Sequence, residues 1–192
     1  MKNSPPSKSL KEILDQIKID YLNKLPLKLK EINELTTDPL SFNLEALERE
    51  FHKLKGNGKT SGVAEISTIA ALIEDTLKTN KSYLTQLLPP DDLSSEPNKN
   101  SNDPLNAPLN NPMNNPLNNP LNDPLNDPLL ELPSLILKTL KTLIQKAVLL
   151  MSKIHQQYEL AKPNAPNYQL DQDPDWNIII SLNSKINQNP AK

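Results

Sequence analysis

Between Asn102 and Leu129 a proline falls at every fourth position, in seven tandem tetrapeptides of the form Asn-Xaa-Pro-Leu, with Met113 replacing one leucine. Proline lacks an N–H and has a fixed φ, so this spacing forbids both a continuous helix and a paired strand. The four-residue period is also far shorter than a solenoid unit. The stretch 89–131 therefore reads as a turn- and polyproline-rich loop, mostly disordered, opened by Pro89-Pro90-Asp91-Asp92. Any core must come from what lies on either side. Those flanks carry few aromatics (4 % of the chain) and mainly Leu, Ile and Ala as apolar residues. That composition suits helices better than sheets, which favour β-branched and aromatic residues.

The flanks are periodic. Ser9 and Glu12 have capping-box spacing, and Leu10, Ile13, Leu14, Ile17, Tyr21 and Leu25 then recur at three and four. Leu29 and Ile32 carry the pattern to Leu35, with Pro26 expected to kink or interrupt the helix. Tyr21 reads as a packing residue at the bundle end. A second helix, Asn43 to Gly58, has Leu44, Leu47, Phe51 and Leu54 on one face. Thr60-Ser61-Gly62 is a short link, which implies antiparallel neighbours, and Ser61 or Gly62 is a candidate cap for the next helix. The third helix, Val63 to Leu88, has the stripe Ile66, Ile69, Ala70, Ile73 and Leu77, with Glu74 at its edge. The fourth is expected to start at Pro133, a good first-turn residue, with Ile136, Leu140, Leu143, Ala147, Leu150 and Ile154 as its stripe. Leu137, Ile144 and Met151 thicken that face.

All three glycines of the chain, Gly56, Gly58 and Gly62, fall within seven residues. In a helix each costs roughly 1 kcal/mol against alanine, so their lack of a side chain needs a reason. His52 lies beside the apolar stripe of the second helix, with Lys55 and Gly56 three and four residues on, sharing its face. A glycine one turn from the imidazole uncovers it for another protein's surface. Lys55 places an ammonium where a phosphoryl group on His52 would hang.

His52-Lys53-Leu54-Lys55-Gly56, with Gly62 ten residues after the histidine, resembles the signature of histidine-phosphotransfer (HPt) domains, and the phosphotransfer domain of chemotaxis-type histidine kinases in particular. The wider likeness covers residues 9–88 and 132–158. Small residues are usual after the Lys-Gly pair, whereas this chain has Asn57 and Lys59. The resemblance implies an all-α fold: an antiparallel four-helix bundle with the Asn/Pro-rich loop inserted before the last helix. It also implies a phosphorelay intermediate. His52 would be the phosphorylated nucleophile, Lys55 would compensate charge and Gly56 would give steric access. Glu74, 22 residues after His52, would accept from the Nδ1–H of the ring and leave Nε2 free. Partners would be response-regulator receiver domains or a separate histidine kinase, with Mg²⁺ held by the receiver and no cofactor of this chain's own. Without a nucleotide-binding Gly-rich loop, no autonomous ATP-dependent kinase activity is expected.

The expected organisation is a disordered 1–8, a helical bundle over 9–162 interrupted by the 89–131 loop, and a tail over 163–192. The tail centres on Asp173-Pro174-Asp175-Trp176, read either as a short helix begun at Asp173 or as an extended piece with Trp176 as packing anchor. Lengthening a short helix link about eightfold costs roughly 2 kcal/mol of closure entropy, which a bundle tolerates. His155 has no motif around it and reads as a solvated helix residue. There are no cysteines, hence no disulfides or thiolate metal sites. The N-terminal Met1-Lys2-Asn3-Ser4-Pro5-Pro6 lacks a signal peptide's apolar core, and no apolar run reaches membrane length, so a cytoplasmic location is expected. Net charge is −2 without a basic block, so nucleic acid is not an expected partner. The rival to a phosphorelay role is a non-catalytic helical scaffold using the bundle surface and the Pro/Leu repeat. A hydrolase or metalloenzyme has little to build on, with two distant histidines and no paired-carboxylate motif.

Overall fold

The computed structural model describes residues 9–37, 42–87, 128–160 and 167–188, with side chains from Leu135 onward in the third stretch. Among them are helices α1 (Leu10–Thr37), α2 (Leu44–Thr60), α3 (Ala64–Leu87), α4 (Pro128–Leu160) and α5 (Pro174–Asn187), with a 3-10 turn at Leu170–Gln172. The first four form an antiparallel bundle. Lys28 of α1 reaches Glu50 of α2, while Tyr21 lies level with Asn57. Lys18, near the start of α1, lies 4.1 Å over the ring of Tyr158 at the end of α4, and Lys141 of α4 donates to the carbonyl of Thr37. No described helix is long and apolar enough to cross a membrane.

The core is the stripes closing on one another. Leu47, Phe51 and Leu54 of α2 meet Ile66, Ile69, Ala70, Ile73 and Leu77 of α3, and Leu140, Leu143, Ile144, Ala147, Leu150, Met151 and Ile154 of α4 complete it. Each of the larger side chains contributes about 1.5–3 kcal/mol by leaving water. Local chemistry sets the ends. Ser9 and Glu12 form the reciprocal capping box that their spacing predicts. Asn43 caps α2 by accepting from the N–H of Ala46.

Several expectations are corrected. Helix α1 passes through Pro26 unbroken; the buried Leu22, Leu25, Leu29 and Ile32 hold it against a cost of about 3 kcal/mol. Its early stripe is not core. Leu10, Ile13, Leu14 and Ile17 are 41–73 % exposed: the 28-residue α1 outruns the 17-residue α2, and among the described residues no helix covers its first turns. Tyr21 packs as expected at the bundle end, on the α1–α2 seam beside Asn57 in the last turn of α2. Its hydroxyl is buried without a partner, beside a cavity of about 100 Å³ shared with Glu50, Lys53 and Asn57, and burial pushes its pKa up. Ser61 closes α2, its N–H bonding back to the carbonyls of Asn57 and Lys59, and does not cap α3. Helix α4 begins at Pro128, so that proline takes the first-turn place expected of Pro133, and 128–131 are helical rather than loop. The rest of the expected loop, and the N-terminal 1–8, lie outside the described residues.

His155 is buried, not solvated. It continues the thickened seam Leu137–Ile144–Met151 one turn further, and its Nε2 is 3.7 Å from Glu159. The tail resolves to a helix. Asp173 caps α5 by accepting from the N–H of Asp175, and Pro174 takes its first position. Lys153 of α4 bridges Asp173 at 3.2 Å and Asp175 at 2.6 Å, and Tyr168 donates to Asp173. Burial alone would raise the Asp173 pKa; the bonds from Tyr168, the Asp175 N–H and Lys153 outweigh it and lower it. Ile179 and Ile186 bury on the bundle, with Trp176 packed partly against it. Helix α5 runs parallel to α3, tied by Thr76 to Asn183 and by Asn80 to Asn187.

Candidate functional site

Helices α2 and α3 bring His52, Lys55 and Glu74 together. The short Ser61–Val63 link turns the chain back on itself, with Gly62 at φ +70°, a conformation a side chain disfavours. At this end the two helices nearly touch. A Cβ on Gly58 would lie 3.0 Å from the backbone nitrogen of Ser67 and 3.2 Å from the carbonyl of Val63. The Ser67 hydroxyl donates to the carbonyl of Lys55 at 2.8 Å, locking the two helices there. Gly58 is thus explained by packing. A Cβ on Gly56 would meet nothing within 4 Å, so no contact among the described residues accounts for the missing side chain.

His52 projects outward, its side chain 72 % exposed. Glu74, expected at the edge of a stripe, is fully buried at the α2–α3 seam. His52 Nδ1 and Glu74 Oε1 are 2.9 Å apart. An ionised carboxylate only accepts, so the shared proton belongs to Nδ1 and Nε2 keeps its lone pair. Lys55 Nζ stands 3.1 Å from the other oxygen, Oε2, as an ion pair off the hydrogen-bond directions, for Oε2 has no aligned donor. Lys78, one turn after Glu74, donates to Oε1, the oxygen that also serves His52. Burial pushes the Glu74 pKa up, but the bonds from Lys78 and His52 and the ion pair with Lys55 overcome it and hold the pKa at about 2. The same contact, with Glu74 as its main cause, raises the Lys78 pKa.

Sequence reading passed over Lys78 and Ser67. Lys78 had a signal, a lysine at i+4 from a glutamate. Ser67 had none, since its partner is a carbonyl on another helix. Chemically the site is an exposed ring nitrogen, a buried acceptor fixing the far side of the ring, and two ammonium groups on that acceptor. Nothing there holds a metal: among the described residues no group of three or more His, Cys, Asp or Glu side chains is placed to do so.

Residues 12–92 match the family model described as the Hpt domain, a span that holds α1 from its third residue, all of α2 and α3, and all of these site residues. No curated protein and no solved structure matches the chain.

Proposed function

We propose, from the match of residues 12–92 to the Hpt-domain model, that the chain is a phosphorelay intermediate that takes a phosphoryl group on Nε2 of His52 and hands it to a receiver domain. The donor is the aspartyl phosphate of a receiver, or a separate histidine kinase. The observation that carries this reading is the pairing of an outward Nε2 with a buried carboxylate at Nδ1.

With an aspartyl phosphate as donor, the Nε2 lone pair attacks phosphorus in line. The N–P bond forms as the bond to the aspartate oxygen breaks, and the carboxylate leaves. No proton moves, because the ring proton is on Nδ1. The ring becomes a phosphorylated imidazolium, and Glu74 faces its positive charge. Lys55, one turn after His52 on α2 and paired with Glu74 at 3.1 Å, supplies the positive charge that offsets the phosphoryl oxygens, as such transfers depend on positioning and charge compensation. Mg²⁺ would belong to the receiver. Gly56 leaves the approach to the ring clear. The exposed Ile17, Leu14, Ile13 and Leu10 continue along α1 from Tyr21, which adjoins Lys53 and Asn57 of α2. They give a receiver exposed apolar surface on α1.

The test is to mix the protein with phosphorylated receiver domains, and with kinase catalytic domains plus ATP, and to follow acid-labile phosphate. Label on His52 that passes to a second receiver is expected. Absence of label from every receiver and kinase of the same cell rules the proposal out. A scaffold would keep its function in His52→Gln, whereas a relay protein loses it.

A further inference from the structure

Lys78 lies outside the His52–Lys55–Gly56–Glu74 set, yet it makes the second bond to the oxygen that holds the histidine. Resting on the phosphotransfer reading of His52, we infer that Lys78 is a positioning residue: by gripping Oε1 of Glu74 it fixes the carboxylate in the plane that keeps the proton on Nδ1 and the lone pair on Nε2.

Glu74 reaches the seam from the buried face of α3, and its carboxylate can turn about its terminal torsion, which is broad in carboxylate side chains. Lys55 comes from the turn end of α2 and takes Oε2. Lys78 comes from one turn further along α3 and takes Oε1. Because α2 and α3 are antiparallel, the two ammonium groups approach from opposite ends of the site. Each takes one oxygen, so rotation of the carboxylate would cost both contacts. Oε1 has a lone pair left for one more donor, and the Nδ1–H of His52 occupies it at 2.9 Å. The histidine tautomer therefore depends on an interaction His52 does not itself make.

The other charged groups near the ring do not replace Lys78. On α2, Glu48 lies one turn before His52 and is held by Lys81 of α3 at 3.2 Å. Lys53 bonds Glu50, away from α3. Asp75 and Glu48 act on Lys78 only through longer-range attraction, weaker than its bond to Glu74. The Lys78 side chain is 48 % exposed, so its removal leaves no cavity in the core.

The experiment compares wild type with Lys78→Ala and Lys78→Arg, using the full chain, with thermal unfolding to verify the fold. Nitrogen NMR of the His52 ring at neutral pH reads the tautomer without any partner. Single-turnover transfer from a phosphorylated receiver reads the maximal rate and the half-saturating receiver concentration separately. Lys78→Ala should move the ring toward the Nε2–H form and lower the maximal rate, by up to about a hundredfold, the scale of a reacting group misplaced by about 1 Å. The half-saturating concentration should hold, and Lys78→Arg should restore both signals. An unchanged tautomer in Lys78→Ala overturns the inference, whatever the rate does. So does a change confined to half-saturation, which would make Lys78 a receiver contact. If wild type takes no phosphate from any donor, the phosphotransfer reading fails, while the NMR comparison still decides whether Lys78 sets the tautomer.

Discussion

Gly56 and Gly58 are two residues apart on one helix, and the structure gives them opposite reasons for being glycine. Replacing Gly56 by alanine adds a methyl with no neighbour within 4 Å. The helix then gains the propensity difference, about 0.5–1 kcal/mol, and the midpoint of thermal unfolding should rise by roughly 2–5 °C. Gly58→Ala brings the same gain of about 1 kcal/mol but sets its Cβ 3.0 Å and 3.2 Å from backbone atoms of Ser67 and Val63, which cannot swing aside. Relief requires α2 and α3 to part by about half an ångström, since unstrained carbon contacts begin near 3.5 Å. That strains the Ser67–Lys55 bond and the bond from the Val63 N–H to the Gly58 carbonyl. Overpacking of this kind costs about 1–3 kcal/mol, which leaves Gly58→Ala about 1 kcal/mol below wild type. The two variants should thus differ by roughly 2 kcal/mol, about a thirtyfold ratio of folded to unfolded chain. Urea unfolding with a common slope reads this directly. Function should run the other way: Gly56→Ala is the more stable protein yet accepts phosphate more slowly, and Gly58→Ala retains the reaction. Equal stabilities would refute the packing assignment of Gly58. Full transfer rate in Gly56→Ala would refute the access role of Gly56.

His52→Gln should lose all acid-labile phosphate while shifting stability by less than about 1 kcal/mol, because the side chain is exposed and makes one hydrogen bond; labelling and urea unfolding of the same preparation check both. The Glu74 pKa is held at about 2 against an ordinary 4.5, so the unfolded chain takes up its proton first as pH falls. Its contribution, about 3 kcal/mol, should be complete above pH 4.5 and fade as pH drops toward 2, and in Glu74→Gln that part of the acid slope should vanish from unfolding curves. Asn43→Ala removes the α2 cap and should cost about 1 kcal/mol, read as a lower urea midpoint at unchanged slope. Asp173→Ala loses the α5 cap and the Lys153 bridge together; hydrogen exchange should show α5 opening while α2 and α3 stay protected.

Much of this was legible because helices announce themselves through local chemistry. The capping spacing of Ser9 and Glu12, the cap at Asn43 and the stripes of α2, α3 and α4 each depend on residues within a few positions of one another. The His-Lys-Gly spacing was legible for the same reason, since its members share one helix face. The misreadings came where a neighbour decides. Leu10, Ile13, Leu14 and Ile17 have a core pattern, but a pattern cannot show that the opposing helix is shorter. His155 stands in no motif, yet it extends a seam that the bundle buries. Pro133 looked like a helix start only because Pro128 seemed to belong to the repeat.

By itself, then, the sequence determined that the described residues are helical and where α2 and α3 lie, which follow from periods and propensities acting over one or two turns; the spacing around His52 pointed to a phosphoacceptor only through its resemblance to Hpt domains. Only the tertiary structure decided that Glu74 is buried with its carboxylate shared among His52, Lys55 and Lys78, that Gly58 serves a helix contact while Gly56 serves none, and that the tail folds back as α5. Those outcomes depend on distances between helices far apart in the chain, which are set when the whole bundle packs.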